Sequence, residues 1–526
     1  MSVSTRADQE LVYQNAVELA RLIAAGEVSA REVVDAHIER VEAVNPKLNA
    51  VVVPRFEEAR HEAEAVDADR ARGAALGPLA GVPITVKECF YVAGTQATIG
   101  VGRFVGKLST HDSPQVARLR SAGAVVIGKT NIPQAMLMHE TDNPVYGRTN
   151  NPWNLERGPG GSSGGEAAIV AAGGSALGLG NDLGGSIRQP AHSCGLYGLK
   201  PTTGRLSNAD SFENLHGMEA VGVQPGPLAR CVDDIELAYR LLAAPGWEAF
   251  DYQTPPVSVG DSRHIDVDRL RIGYWTDDHY FRPAPAIRRA VEVAAGALRE
   301  AGATVEAIDP PDMRHAMALY LGLLSADGGA ELKTLIGDSE RDWRVKWLER
   351  LGGLAWPVRT PLAAALRMAG QASLAELLRD TGPRDGKEVW RLTHERRLYT
   401  QGFMNRLRDE RIDAWITPVH PLPALTHGST AWLATAGSYC MLGNLLGTPG
   451  GVVPVCRMRS GEESDRPASG DLVEKAARAV EQDSAGLPVG VQISAPHWRE
   501  DVVLAVMRAL EERLSRLDDY PRRPNL

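Results

Sequence analysis

Two glycine-rich loops carry the hydroxyl groups best suited to chemistry. The first is Gly158-Pro-Gly-Gly-Ser162-Ser163-Gly-Gly-Glu166, and the second is Asn181-Asp182-Leu183-Gly184-Gly185-Ser186-Ile187-Arg188-Gln189-Pro190. Acyl transfer needs an activated hydroxyl and backbone N–H groups aimed at the oxyanion that develops on the substrate. Gly184 and Gly185, directly before Ser186, can take backbone angles closed to other residues, so consecutive amides can turn toward one point. A phosphate cradle would end in Gly-Lys-Ser/Thr and a dinucleotide loop would read G-x-G-x-x-G; neither spacing is present.

A base must accompany the hydroxyl. His192 lies nearest to Ser186, but it follows Pro190 and has no acidic partner at a telling spacing, so it reads as a packing or surface residue. His139, beside Glu140, reads the same way. Lys87 closes the apolar run Gly81-Val-Pro-Ile-Thr-Val-Lys87. Burial in an apolar wall lowers a lysine pKa and leaves a neutral amine able to accept a proton.

Around these residues the sequence alternates strands and helices. Helical spacing runs from Leu11 to Ala25, and Ser29-Ala-Arg-Glu32 forms a capping box for a second helix, which Asn45-Pro46 should end. A third helix, from Phe56 to Arg72, is expected to face solvent. Strands are expected at Val82–Val86, Ala124–Ile127, Ala414–Thr417, Gly451–Val455 and Pro488–Ile493, an α/β pattern with a parallel or mixed sheet.

Lys87 in its Gly-Val-Pro-x-x-Val-Lys context, the Gly-Gly-Ser162-Ser-Gly-Gly loop and Gly-Gly-Ser186-Ile-Arg188 together resemble the Lys, cis-Ser, Ser triad of the amidase-signature family. Their separations, 75 and 24 residues, suit it as well. Val86-Lys-Glu-Cys-Phe90, Asn131-Ile-Pro-Gln-Ala-Met136, Ser325-Ala-Asp-Gly-Gly329, Gly451-Val-Val-Pro-Val455 and Gly486-Leu-Pro-Val-Gly-Val-Gln492 are similar to the fatty acid amide hydrolase branch. The resemblance implies an α/β/α sandwich around a large mixed sheet and hydrolysis of amides, fatty acyl amides above all, and of esters. Ser186 would be the nucleophile, Ser162 the proton relay and Lys87 the base. The amides of Leu183, Gly184, Gly185 and Ser186 would form the oxyanion hole, and Met136 and Ser162 would touch substrate. No metal or other cofactor is called for. Asp182 and Arg188 are expected to form an ion pair that fixes the nucleophile loop. Asn181 stands where this group more often has Thr, and is expected to change local hydrogen bonding without touching the triad. A glutamine amidase like that of the tRNA amidotransferases, working in a complex, or a non-catalytic relative, is the alternative.

Residues 1–75 read as a helical segment packed on a domain spanning 76–526. Within that domain, 457–485 reads as a polar surface insertion and 353–378 as a cap. Leu362, Ala365, Leu366 and Ala369 share one helical face of the cap, Arg359, Arg367 and Arg379 could meet anionic head groups, and Trp356 could anchor at an interface. A net charge of −9, with basic residues scattered, excludes nucleic acid as a partner. Five cysteines without C-x-x-C pairing point to free thiols in a reducing, cytoplasmic setting. The N-terminal stretch Met1–Glu10 is polar, with no export signal. The partners expected are a small amide substrate, a membrane surface touched peripherally and a second copy in a homodimer.

Overall fold

The computed structural model describes residues 11–212, 215–249 and 251–526; Met1–Glu10 lies outside the described residues. Its frame is an eleven-stranded mixed sheet. In chain order the strands are β1 (Val51–Pro54), β2 (Pro83–Lys87), β3 (Val125–Thr130), β4 (Leu177–Asp182), β5 (Tyr197–Lys200) and β6 (Gln224–Ala229). They continue with β7 (Arg271–Tyr274), β8 (Thr304–Ala307), β9 (Ala414–Pro418), β10 (Gly450–Arg457) and β11 (Pro488–Ser494). Across the sheet the order is β1-β3-β2-β4-β6-β5-β10-β11-β9-β7-β8. The β3-β2-β4 and β9-β7-β8 pairings are parallel, and the remaining pairs are antiparallel.

Every residue of β2, β3, β4, β9 and β11 is buried, so helices cover both faces of the central sheet, as an α/β/α sandwich requires. The five strands expected from β-branched runs all form. Others did not show in the sequence: β6 reads Gln-Pro-Gly-Pro-Leu-Ala, and two prolines argue against a central strand. It forms between β4 and β5 because Gly226 lets the chains approach; a Cβ there would run into the carbonyl of Leu199.

The N-terminal helices behave as their caps direct. Ser29 and Glu32 make the reciprocal capping box, and the helix Ala30–Leu48 runs past Asn45-Pro46 until Asn49 turns left-handed at φ 51°. Pro46 sits in the last turn and does not end the helix. Val33, Val34, Ile38 and Val41 share one apolar core with Val82, Ile84 and Val86 of the sheet. The Phe56–Ala71 helix is not wholly solvent-facing, since Ala59 and Ala63 are buried.

The two expected insertions are also more embedded than their polarity implies. Between β10 and β11, the helix Leu472–Glu481 buries Val473, Ala477 and Val480 against Leu422, Leu425 and Leu433. Arg466 is buried there and pairs with Glu474 at 2.7 Å and Glu481 at 3.0 Å. In the cap, Arg359 points inward. It is fully buried and donates to the carbonyls of Leu378 at 2.6 Å and Thr381 at 2.7 Å, and to Leu351. Arg379 pairs with its neighbour Asp380 at 2.7 Å. Trp356 spends its indole N–H on the Pro383 carbonyl at 2.8 Å, with the Arg384 guanidinium over its ring. Of the three arginines expected to meet head groups, only Arg367 is exposed and without a pairing acid among the described residues. Inward-facing carbonyls at the helix ends explain Arg359: they need a donor, and a guanidinium can supply several at once.

Candidate active site

Lys87 is the last residue of β2, and its side chain is fully buried. Nζ lies 2.7 Å from Ser162 Oγ and 2.6 Å from Asn181 Oδ1. Burial pushes the Lys87 amine down to about 8, outweighing the opposing pull of Cys89, Asp182 and Glu166. Near neutral pH a usable fraction of this amine is therefore unprotonated, with its lone pair available to Ser162 O–H. The neighbouring Cys89 thiol is pushed up to about 11 by burial and stays protonated.

Asn181 corrects the sequence expectation. Its side chain does touch the triad, since Oδ1 accepts directly from Lys87 while Nδ2 reaches Cys89 Sγ at 3.5 Å. A β-strand explains this: Asn181 is in β4, β4 lies parallel to β2, and the ends of the two strands bring both side chains to one place. An acceptor on Nζ favours the protonated amine. Asn181→Ala is therefore expected to lower kcat by about tenfold through lost orientation of Lys87 and to move the acid limb of the kcat profile to lower pH, whereas Asn181→Thr restores both. An acid limb unchanged in the alanine variant would show that Lys87 does not feel Asn181.

The peptide Gly161–Ser162 is cis. The two serine loops meet where Ser163 N–H donates to the Ser186 carbonyl at 3.1 Å, and Ser162 and Ser186 line the same cavity. Ser186 follows β4 through a loop clamped from below. Asp182 pairs with Arg188 at 3.0 Å with both side chains fully buried, the ion pair expected from the sequence. Burial alone would raise the Asp182 carboxyl, but Arg188 holds it well below the usual carboxylate range. Arg188 also donates to Gln492 Oε1 of β11 at 3.0 Å and to Asn444 Oδ1 at 2.5 Å. Gly185 takes φ 112°, and a Cβ there would strike Cys440.

Among the four amides expected at the oxyanion, Gly185 N–H is already engaged, donating to Asp182 Oδ1 at 2.8 Å. The N–H groups of Leu183, Gly184 and Ser186 have no protein acceptor among the described residues. Three amides are thus left to receive a developing negative charge.

Two further residues escaped the sequence reading. Glu166 is buried beneath the site and accepts from the hydroxyls of Thr85 at 2.6 Å and Thr130 at 2.7 Å; burial pushes its carboxyl up to about 8 despite those bonds. An acid inside the otherwise small and apolar helix Gly164–Ala171 was its only signal. His139 is not a bystander. Its Nε2 lies 3.0 Å from the Gly184 carbonyl, so that nitrogen carries the proton and braces the loop. His192 is buried packing, as expected: Nδ1 accepts from Gly490 N–H at 3.1 Å and Nε2 faces the Leu422 carbonyl at 3.2 Å.

Two cavities flank this loop. A polar one of about 350 Å³ contains Met136, Ser162, Asn181 and Ser186. An apolar one of about 190 Å³ is lined by Leu137, His139, Leu321, Leu324, Leu433 and Met441, among others, and shares Leu215 with the first. Met136 therefore lines the same cavity as the serines, while its neighbours Leu137 and His139 line the apolar space. Among the described residues no group of histidines, cysteines and acids is arranged to hold a metal ion.

A mixed α/β sheet that sets a buried amine against a serine in a glycine loop defines the amidase class. The Amidase family profile matches residues 32–504, and the chain belongs to that family; it is an amide hydrolase. It is 34% identical over 513 residues to fatty-acid amide hydrolase 1 of Sus scrofa, which covers 95% of this chain and 85% of that protein. A solved fatty acid amide hydrolase superposes with a TM-score of 0.86 at 27% identity, over 98% of this chain and 87% of that one. A glutamyl-tRNA(Gln) amidotransferase subunit from Roseiflexus sp. (strain RS-1) is 32% identical over 530 residues, covering 94% of this chain and 96% of that one.

Proposed function

We infer that the chain is a serine amidohydrolase for fatty acyl amides that works through an acyl-enzyme. Neutral Lys87 takes the proton of Ser162 as Ser162 takes that of Ser186, and Ser186 Oγ attacks the amide carbonyl. The oxyanion is received by the amides of Leu183, Gly184 and Ser186. The relay then runs backward: Ser162 protonates the departing amine and Lys87 reprotonates Ser162. Water, deprotonated by the same relay, cleaves the ester to release the acid.

The observation carrying the acyl half of this reading is the apolar cavity. His139 and Met441 line it, and His139 Nε2 also meets the Gly184 carbonyl at 3.0 Å, so an alkyl chain lying there leaves its carbonyl beside the nucleophile. Glutamine, the substrate of the amidotransferase alternative, has no use for such a space. An acetyl-to-palmitoyl series of amides of one amine tests it, alongside labelling with a fluorophosphonate. Each methylene added until the cavity is full should raise kcat/KM by up to about fourfold. A series flat in chain length would sink the lipid reading and leave the amidase intact.

The cap supports a lipid surface as the place where such substrates are met. On the helix Trp356–Met368, Val358 is 55%, Leu362 39% and Met368 85% exposed, with Arg367 as its outward charge and no acid. The flanking helices Trp343–Gly352 and Ala372–Asp380 supply Leu348, Leu351 and Leu377 to the apolar cavity, so the exposed helix stands over its wall. Among the described residues no helix is long and apolar enough to cross a membrane, and contact would be peripheral. The five cysteines are free, in keeping with a reducing, cytoplasmic setting. Replacing Leu362 and Leu366 by Asp should cut vesicle co-sedimentation and long-chain turnover several-fold while sparing short amides. A dimer lost in the same variant would instead assign that face to a second copy of the chain.

A further inference from the structure

The polar cavity differs from the apolar one in more than polarity, for its charge has one sign. Glu219 and Asp251 line it, and no lysine, arginine or histidine does among the described residues. Neither acid is paired with a lysine, arginine or histidine among the described residues. Asp251 accepts from the hydroxyls of Ser207 and, at 3.3 Å, Thr254, and from the Gln253 N–H at 3.0 Å; Glu219 meets the Gln253 side-chain amide at 3.5 Å. Thr203 and Asn208 line the same wall, and their Oγ1 and Oδ1 atoms have no hydrogen-bond partner among the described residues.

With the alkyl chain in the apolar cavity and the carbonyl at Ser186, the amine half of a substrate extends into this polar space. We propose that it is a cation-selecting subsite, so that the preferred substrates are fatty acyl amides of amines carrying a second, protonated nitrogen. An ammonium offers three donors and a positive charge to a wall of carboxylate, amide and hydroxyl oxygens. A carboxylate in the same place faces two like charges with no counter-ion, so acyl amides of amino acids are disfavoured by repulsion as well as by missing donors. This subsite rests on the acyl-amide reading above and adds to it the chemistry of the leaving amine.

Three amides of one fatty acid test it, the first two matched in size and all three differing in charge: N-propyl, N-(2-aminoethyl) and N-(2-carboxyethyl). The wild-type enzyme is expected to show kcat/KM for the aminoethyl amide about tenfold above the propyl amide, and for the carboxyethyl amide about tenfold below it, both gaps narrowing as salt is raised. The isosteric pair Glu219→Gln and Asp251→Asn should bring the aminoethyl-to-propyl ratio toward one. Equal kcat/KM for the three amides, or a ratio unchanged in the double variant, overturns the subsite while hydrolysis of the propyl amide keeps the acyl-amide reading standing. Failure to cleave any of the three, with no fluorophosphonate label on Ser186, overturns both.

Discussion

Ser186→Ala is expected to abolish both fluorophosphonate labelling and acyl-enzyme formation, and to lower amide turnover by about a million-fold. The alanine enzyme keeps all three backbone amides, those of Leu183, Gly184 and residue 186, so binding survives while the covalent step is lost. Ser162→Ala leaves the nucleophile in place but cuts the path from Ser186 to Lys87. It should lower turnover about a thousand-fold, with KM little changed, because a positioned proton acceptor contributes on that scale. Neither change removes a partner of the Asp182–Arg188 pair, and thermal melting should stay close to wild type. Amidase activity near the native level in Ser186→Ala would remove this serine from the nucleophile's role.

The second large effect is on pH. Lys87 must be neutral to accept a proton, and its amine is held at about 8. Below that value the neutral fraction falls about tenfold for each pH unit, so kcat should fall with a slope of one toward acid and level off above about pH 8. The direction is fixed by the sign of the charge: burial disfavours the ammonium, so raising pH supplies the active form. Lys87→Ala should lose about three orders of magnitude and with them the acid limb. A wild-type profile flat down to acidic pH would count against lysine as the base.

Much of this site was legible in the sequence, for reasons that are local. A lysine at the end of an apolar, β-branched run, and serines following paired glycines, are chemical anomalies visible without a fold. The ion pair between Asp182 and Arg188 was readable for the same reason, being six residues apart on one turn. What escaped depends on strands meeting. Asn181 touches Lys87 only because β4 lies parallel to β2, and nothing in either segment states that pairing. β6 was hidden by its prolines, which mark a loop unless a glycine lets a neighbouring backbone come close. Arg359 misled for a different reason. Helical periodicity assigned it to an edge of the cap, whereas the carbonyls that claim it belong to the ends of the helices on both sides of that helix. Periodicity describes one helix and carries no information about its neighbours' unmet acceptors.

The clamp under the nucleophile also has a temporal meaning. Arg188 is held by Asp182 from its own loop, but also by Asn444 and by Gln492, which come 256 and 304 residues later. β5, the strand right after the nucleophile helix, pairs with β6 on one side and with β10 on the other, and β10 in turn pairs with β11. A ribosome delivers Ser186 and its glycines early and the residues that fix their backbone last. Contacts so distant in the chain close late in folding. Until then the turn lacks the fixed amides that receive the oxyanion once the Ser186 hydroxyl attacks. Reactivity thus arrives with completion of the chain, and an unfinished polypeptide carries the nucleophile without its chemistry.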